Sequence, residues 1–465
     1  MNINIPSFKT DCKLFNEAYR VAVGDVVGNI INYKEGLLEK PAPCLIPGLD
    51  YHTAWTRDAT INVANALFLL SPEVSKNTLI SVLEQKNGNV FISGQYWDKI
   101  IWITGAYRYY EVTRDTDFLN RAFEATVNTM NELEKTEYNC ENSLFYGAAV
   151  YGDGISAYPD KYAGRGKFSS CILDWDNEES LRKTGIQIPM IALSTNCVYY
   201  MAYVLLSKIA KIIGEESIVY EKKAQNLKNA INRHFWNSNK GNYDYLLNEC
   251  DYTEGMGVSL AVLFGIADNE QIESVSKNTY ISPHGIPCVW PSFNRYLSLN
   301  GYGRHSGTVW PHIQGMWALA MIKNGNTEHF EHELINMAEK ARRDMQYSEI
   351  YHPETGEIYG GLQENMDILN LECGNPLISP ETLLQQYDKH KINLWYSLRK
   401  QTWSATAFLS LVYYGIMGIS FKDGEIKINP YMPEYCNSVE INNIVINDEV
   451  YNFYMDRMGY KFEKN

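Results

Sequence analysis

Two kinds of helical segment alternate along most of this 465-residue chain, and that alternation restricts its fold more than any other feature. One kind is apolar and aromatic nearly all round, at 54–70, 95–112, 196–213, 254–267, 308–323 and 403–418. The other is amphipathic and rich in Lys and Glu, in parts of 10–32, 73–85, 116–135, 215–235, 268–278 and 327–345. A helix that is apolar on every side has to be buried, whereas a charged face needs water. Six inner and six outer helices taken in turn predict an all-α (α/α)6 toroid, a six-hairpin barrel. A helical solenoid is the competing architecture, but no self-similarity recurs at a fixed period. Beyond Phe421 the texture shifts to short alternating stretches such as 425–429 and 439–446, with Asp423-Gly424 as a turn. These predict a small C-terminal β appendage, so the chain divides into a barrel at 1–420 and a β-rich segment at 421–465.

Four long insertions, 36–52, 138–190, 279–307 and 346–402, adjoin inner helices. Segments of that length are uncommon in compact domains unless they carry function, and in a toroid those at one end converge on the central cavity. Within the first, Lys40–Asp50 is too rich in Pro and Gly for a regular element, and Thr53 is placed to cap the helix that follows.

Composition narrows the partners. A formal charge of -14 and a pI near 5.2 repel a phosphate backbone, which excludes nucleic acid. No segment approaches the roughly 18 continuous apolar residues of a membrane span. The amino terminus has no basic stretch followed by an apolar run, so no secretory signal and a cytoplasmic location are expected. Nine cysteines, scattered singly and without a CxxC pair, read as reduced core residues, not as a disulfide framework or a zinc site. By contrast, 34 Tyr and 10 Trp give rings with an apolar face and a polar edge, which suit sugars. Neither a GxxxxGK[ST] phosphate loop nor a GxSxG nucleophile elbow occurs.

The stretch Tyr347–Glu357, YSEIYHPETGE, sets a carboxylate among aromatics just ahead of a turn. Pro353 pushes His352 away from helical angles and Thr355-Gly356 supply turn chemistry, so Glu349 should sit in a fixed loop where a helix has just ended. The competing reading makes Glu349, Glu354 and Glu357 solvated turn carboxylates. A second carboxylate, Asp153, lies between Gly152 and Gly154, a backbone able to approach a ligand closely, in aromatic surroundings that raise a carboxyl's pKa. A plain Gly-Asp-Gly turn is the alternative there. His305 and His312 are seven positions apart with Pro311 between them, unlike the i, i+4 pairing of a helical zinc site, so His312 reads as a hydroxyl donor or a core residue and no metal is expected.

The segment AWTRDA (54–59) resembles the first-helix motif of glucoamylase-type glycosidases. Likewise 94–115, RHSGTVWPHIQGMWALA (304–320), YSEIYHPETGE and QTWSATAFL (401–409) are similar to blocks of glucoamylases, glycogen-debranching glucosidases and the processing-glucosidase and trehalase group. The resemblance runs in order over roughly 45–420 and implies an inverting glycosidase on an (α/α)6 barrel. It places Glu349 at the family's general base and Arg57 and Asp58 where terminal-sugar hydroxyls are held, a fork of donors beside an acceptor. A structural ion pair is the competing role for that Arg and Asp.

Inversion needs one carboxylic acid to protonate the leaving oxygen and one carboxylate to activate water from the opposite face. Asp153 is the candidate acid, with Asp160, Asp174 and Asp176 as alternates and Asp98 as acid or sugar ligand. Trp55, Trp97, Trp310 and Trp403 would wall the pocket with His305 and His312, although each ring alone suits core packing equally. The expected activity is exo-acting hydrolysis of a terminal α-linked sugar, glucose foremost, from an oligosaccharide or small glycoside, with no cofactor. Such barrels also host sugar epimerases and phosphorylases, and a glycan-binding protein lacking one carboxylate is the non-enzymatic alternative.

Overall fold

In the computed structural model of the protein, which describes residues 3–95, 98–152, 154–163, 166–167, 172–173, 190–364, 392–422 and 424–465, helices stand where apolar periodicity puts them. Twelve of seven residues or more lie among the described residues. In chain order they are α1 (Lys13–Gly28), α2 (Thr56–Asn62), α3 (Pro72–Ile80), α4 (Asp98–Thr113), α5 (Thr116–Glu137), α6 (Leu193–Ile213), α7 (Ile218–Phe235), α8 (Gly255–Leu263), α9 (Asn269–Asn278), α10 (Pro311–Lys323), α11 (Thr327–Asp344) and α12 (Thr402–Ser410). The even-numbered helices are buried on nearly every side. The odd-numbered ones keep a charged face in water.

Each inner helix packs on the next: α2 on α4, α4 on α6, α6 on α8, α8 on α10, α10 on α12, and α12 back on α2. Side-chain hydrogen bonds at the last junction close the circuit. Asn62 donates to the Thr402 hydroxyl at 2.8 Å and accepts from the Thr406 hydroxyl at 2.8 Å. Polar groups buried between apolar helices must be paired, and these satisfy one another. Outside the ring, α5 lies on α4 and α6, α7 on α6, α11 on α10, and α1 on both α11 and α12.

Two local expectations change. Lys40–Asp50 is not wholly irregular, because Ala42–Leu45 pairs antiparallel with Ile30–Tyr33, and the helical pattern of the amino-terminal segment stops at Gly28. Thr53 is exposed and caps nothing. Extended Trp55 holds the cap position, with no side-chain bond to the helix, so α2 begins at Thr56.

At the carboxyl end, β4 (Ser438–Ile446), β5 (Glu449–Asp456) and β6 (Gly459–Lys464) form an antiparallel sheet, preceded by the hairpin β2 (Ile419–Lys422) and β3 (Glu425–Ile428). The sheet's other edge is β1 (Ser7–Thr10), paired with β4, so the appendage draws one strand from the amino terminus. The alternation that marks β4 as a strand is visible in its burial, with Val439, Ile441, Ile444 and Ile446 turned inward. No helix among the described residues is long and apolar enough to cross a membrane.

Candidate functional site

Connections that follow inner helices are short, whereas those that precede them, at 29–55, 81–97, 138–192, 236–254, 279–310 and 345–401, are long. The ring therefore carries its long connections at the amino-terminal ends of its inner helices, where segments of different sequence origin meet. Trp55, Arg57, Asp58, Asp98, Trp310, His312 and Trp403 all fall at or beside the first turn of an inner helix.

Glu349 is held in a loop whose backbone is accounted for almost residue by residue. α11 ends on left-handed Met345, and the amides that follow are taken up in turn. Tyr347 N–H donates to Asp25 Oδ2 at 2.7 Å, Ser348 N–H to the Tyr351 hydroxyl at 2.9 Å, Glu349 N–H to Leu398 O at 3.0 Å and Ile350 N–H to the Ser397 hydroxyl at 2.8 Å. Tyr351 exchanges both backbone bonds with Val309, next to Trp310. The turn beyond it uses Gly356 at φ +69°, where an added Cβ would strike the His284 ring. The Glu349 carboxyl is 3% exposed and receives a guanidinium N–H from Arg304 on one oxygen and the Tyr51 hydroxyl at 3.3 Å on the other. Burial pushes its pKa up and Arg304 pulls it back, leaving it above the usual carboxylate range. The solvated-turn description fits Glu354 and Glu357, which are exposed, and not Glu349.

Arg304 is itself fixed by Gly360 O at 3.1 Å and Tyr396 O at 3.0 Å, and its guanidinium lies over the Trp310 ring, 5.5 Å from its centre. From Trp310 an aromatic wall continues. Its ring meets His305 at 4.8 Å, His312 at 5.6 Å and Trp403 at 6.0 Å, while Tyr151 packs on His312 at 3.9 Å and Trp403 at 5.3 Å. Neither ring nitrogen of His312 has a hydrogen-bond partner among the described residues, although the side chain is fully buried. Burial and then the neighbouring His305 hold its pKa well below the ordinary value, so it is neutral. Gln363 is similarly buried, with neither amide atom paired among the described residues, and lies near Gly154, whose added Cβ would lie 3.5 Å from its oxygen and 3.1 Å from the His305 ring. Buried polar atoms left unpaired are costly, and their convergence on one place is the signature of a ligand-facing surface.

The third part of the site is ionic. Arg57 does not pair with its neighbour Asp58, because consecutive helical residues point apart. It reaches instead across to α4, where its Nε lies 3.0 Å from Asp98 Oδ1, and a second nitrogen donates to the Gln95 amide oxygen. Its guanidinium also sits over half-buried Trp55 at 5.6 Å. Tyr151 connects this cluster to the aromatic wall: burial raises its hydroxyl pKa strongly, Asp58 and Asp98 add to that, and Arg57 opposes it. Tyr151 holds φ at +65°, a left-handed conformation that costs a bulky residue on the order of 1–3 kcal/mol and persists only where surroundings enforce it.

Among the residues predicted from sequence, Glu349, Trp55, Arg57, Asp58, Asp98, His305, Trp310, His312 and Trp403 lie in or against this continuous arrangement. Asp153, Trp97, Asp174 and Asp176 lie outside the described residues; the flanking Gly152 and Gly154 border Tyr158 and His305 respectively. Asp160 points outward in an ion pair with Arg295 at 2.8 Å, so it leaves the set of alternate acids. Sequence reasoning missed Tyr51, Arg304, Tyr151, Gln95 and Gln363. Arg304 opens the RHSGTVWPH block and Tyr151 directly precedes Gly-Asp-Gly, two signals that adjacency to known blocks could have supplied. Nothing in the local sequence marks Gln363.

No curated protein matches the chain by sequence. Among solved structures, a sialidase superposes with a TM-score of 0.69 at 14% identity, covering 99% of this chain and 40% of that one. A GH78 family rhamnosidase of a Bacillus species gives a TM-score of 0.62 at 12% identity, over 100% of this chain and 42% of its own. A GH63 mannosylglycerate hydrolase of Thermus thermophilus, in complex with glucose, gives 0.60 at 14% identity, over 84% of this chain and 100% of its own. The chain thus spans about two fifths of the length of the sialidase and the rhamnosidase. At these identities the likeness speaks for the fold alone. A family model described as the mannosylglycerate hydrolase MGH1-like glycoside hydrolase domain matches residues 98–365, more than half of the chain, from the start of α4 through Arg304, Glu349 and Gln363. The chain belongs to this mannosylglycerate hydrolase MGH1-like family of glycoside hydrolases.

Proposed function

We propose that the protein is an inverting, exo-acting α-glycosidase that releases a terminal α-linked sugar from an oligosaccharide or small glycoside, with Glu349 as general base and Asp153 as general acid. The observation that carries this reading is the Glu349 carboxyl, buried, raised in pKa, and locked by Arg304, Tyr51 and its own backbone beside an aromatic wall. A base in inversion must present one lone pair to a water and hold still while doing so, and the amides of Tyr347, Ser348, Glu349 and Ile350 are all hydrogen-bonded. The closed ring of inner helices is read as the (α/α)6 toroid, with 1–420 as the catalytic unit and 421–465 as the appended β-rich segment.

In this scheme the Arg57–Asp98 pair and Asp58 hold hydroxyls of the terminal sugar, one as a fork of donors and two as acceptors. Neutral His312 can both give and take a hydrogen bond, as can the Gln363 amide, and Trp55, Trp97, Trp310 and Trp403 cover the apolar faces of the ring. The terminal sugar is taken to be glucose, with mannose and rhamnose, the sugars named for similar folds, as the first alternatives. Incubation with a panel of α-glucosides, α-mannosides including mannosylglycerate, and α-rhamnosides tests the reading; release of free sugar from one of them supports it. Turnover that requires phosphate, or epimerised product without hydrolysis, would replace it.

Arg304 sets the acid limb of that activity. Removing its charge, as in Arg304→Met, takes away an interaction that stabilises ionised Glu349, so the pKa of the base rises further. The limb of kcat/KM on which Glu349 loses its proton should move to higher pH, with a fall of activity at neutral pH. Breaking a buried pair of this kind also costs about 3–5 kcal/mol of stability, visible as a lowered Tm.

A further inference from the structure

One buried carboxyl lies against the site without belonging to it. Glu254 occupies the cap position of α8 and is 2% exposed. Its Oε2 accepts the Ser194 N–H at 3.2 Å at the start of α6. The Ser194 hydroxyl in turn accepts the Val150 N–H at 2.9 Å, one residue ahead of left-handed Tyr151. The other oxygen, Oε1, has no hydrogen-bond partner among the described residues. Glu254 borders a cavity of about 20 Å³, room for one water-sized group, together with Tyr151, Gly152, Cys288, His305 and Trp310.

We infer that Glu254 is a positioning residue, which through Ser194 and the Val150 amide holds Tyr151 from behind against His312 and Trp403. The inference rests on the reading of that wall as sugar-facing. Tyr151 needs such a hold, since its backbone conformation is one that the local chain would leave if freed. Ser194 alone would fix the Val150 amide only as firmly as Ser194 is itself fixed, and the Glu254 carboxyl supplies that second anchor.

The same place favours the protonated carboxyl. Burial raises the Glu254 pKa to about 8, with only the two Ser194 interactions pulling back. Among the described residues the titratable groups facing it are Tyr151, His305, Tyr245 and Cys288 around the cavity and Cys197 on α6, and no described Lys or Arg lines the space. Ionisation therefore puts an anion where no Lys or Arg among the described residues answers it; the Ser194 N–H holds that anion more strongly, but water drawn into the cavity to solvate it enters behind Tyr151. The neutral form leaves the space behind Tyr151 dry, and the charged form hydrates it and loosens the wall there.

The test compares wild type with Glu254→Gln, Glu254→Ala and Ser194→Ala. Wild-type kcat/KM should fall with one proton's dependence above about pH 8, and Glu254→Gln, close in shape and unable to ionise, should lack that limb. Glu254→Ala and Ser194→Ala should lose about 10- to 100-fold, mostly in KM, with the Gln variant restoring most of it. Infrared difference spectra of wild type against Glu254→Gln read the protonated-carboxyl band without turnover, and sugar affinity by tryptophan fluorescence across pH reads the wall. An alkaline limb unchanged in Glu254→Gln, or a band lost near the ordinary carboxyl value of 4.5, would overturn the inference. Should the wild type hydrolyse no glycoside, the hydrolase reading falls, and the infrared and affinity titrations still decide the role of Glu254.

Discussion

Glu349→Gln should lower turnover of the natural glycoside by about 1,000-fold or more while sugar binding stays measurable. The amide has the size of the carboxylate; its oxygen can still accept the Arg304 N–H and its NH2 can donate to the Tyr51 hydroxyl, so the loop keeps its shape. What it loses is the ability to accept a proton from water at the moment of attack. Because the proposed sugar contacts lie elsewhere, at the Arg57 and Asp98 pair and the aromatic wall, affinity measured by calorimetry or tryptophan fluorescence should change little. This split between rate and affinity separates a base from a structural carboxylate. Losing the charge beside Arg304 lowers Tm in either case; a structural Glu349 would show weakened binding as well, and a near wild-type rate would remove it from the mechanism.

The complementary result is expected at Asp153. An acid is needed only to the extent that the leaving oxygen is a poor leaving group, so Asp153→Asn should cost natural substrates about 100- to 10,000-fold and spare glycosides whose leaving group is already stable as an anion, such as nitrophenolate. Comparing the two substrates in one variant cancels any general loss of folding or binding. Equal loss on both would mark Asp153 as a structural or binding residue. Full natural activity would pass the acid's role to Asp98, Asp174 or Asp176. Of these, Asp98 is already engaged by Arg57 at 3.0 Å, a partner that stabilises the anion and works against a proton donor.

The parts of this molecule legible in its sequence are those set by local periodicity. Ile61, Ala66, Ile103, Ala106, Val198 and Ala318 announce inner helices because a continuous apolar surface has only one destination, and all are buried. The loop of Glu349 was readable for a different reason: Pro353 and Gly356 restrict the backbone so strongly that few conformations remain. What escaped were contacts made across long stretches of chain. Arg57 looks from its sequence like a partner for Asp58, yet helix geometry sends it to Asp98, 41 positions away. Arg304 meets Glu349 over 45 positions and Tyr51 meets it over 298, and neither pairing leaves a local trace. Ser7–Thr10 is too short to read as a strand until β4, more than 400 residues later, offers it an edge. The same limit explains Thr53, whose capping chemistry was right in kind but was displaced when the chain turned at Trp55.

The stereochemistry of the product tests the central claim most directly. An inverting site delivers water to the face opposite the leaving group in one step, whereas a retaining site passes through a covalent glycosyl intermediate and returns the original anomer. Following the anomeric protons by NMR in the first minutes of hydrolysis of an α-glycoside, before mutarotation mixes the anomers, gives the answer in a single time course. The account predicts that the β-anomer of the released sugar appears first and the α-anomer grows in afterwards at the rate of mutarotation. Initial accumulation of the α-anomer would contradict it.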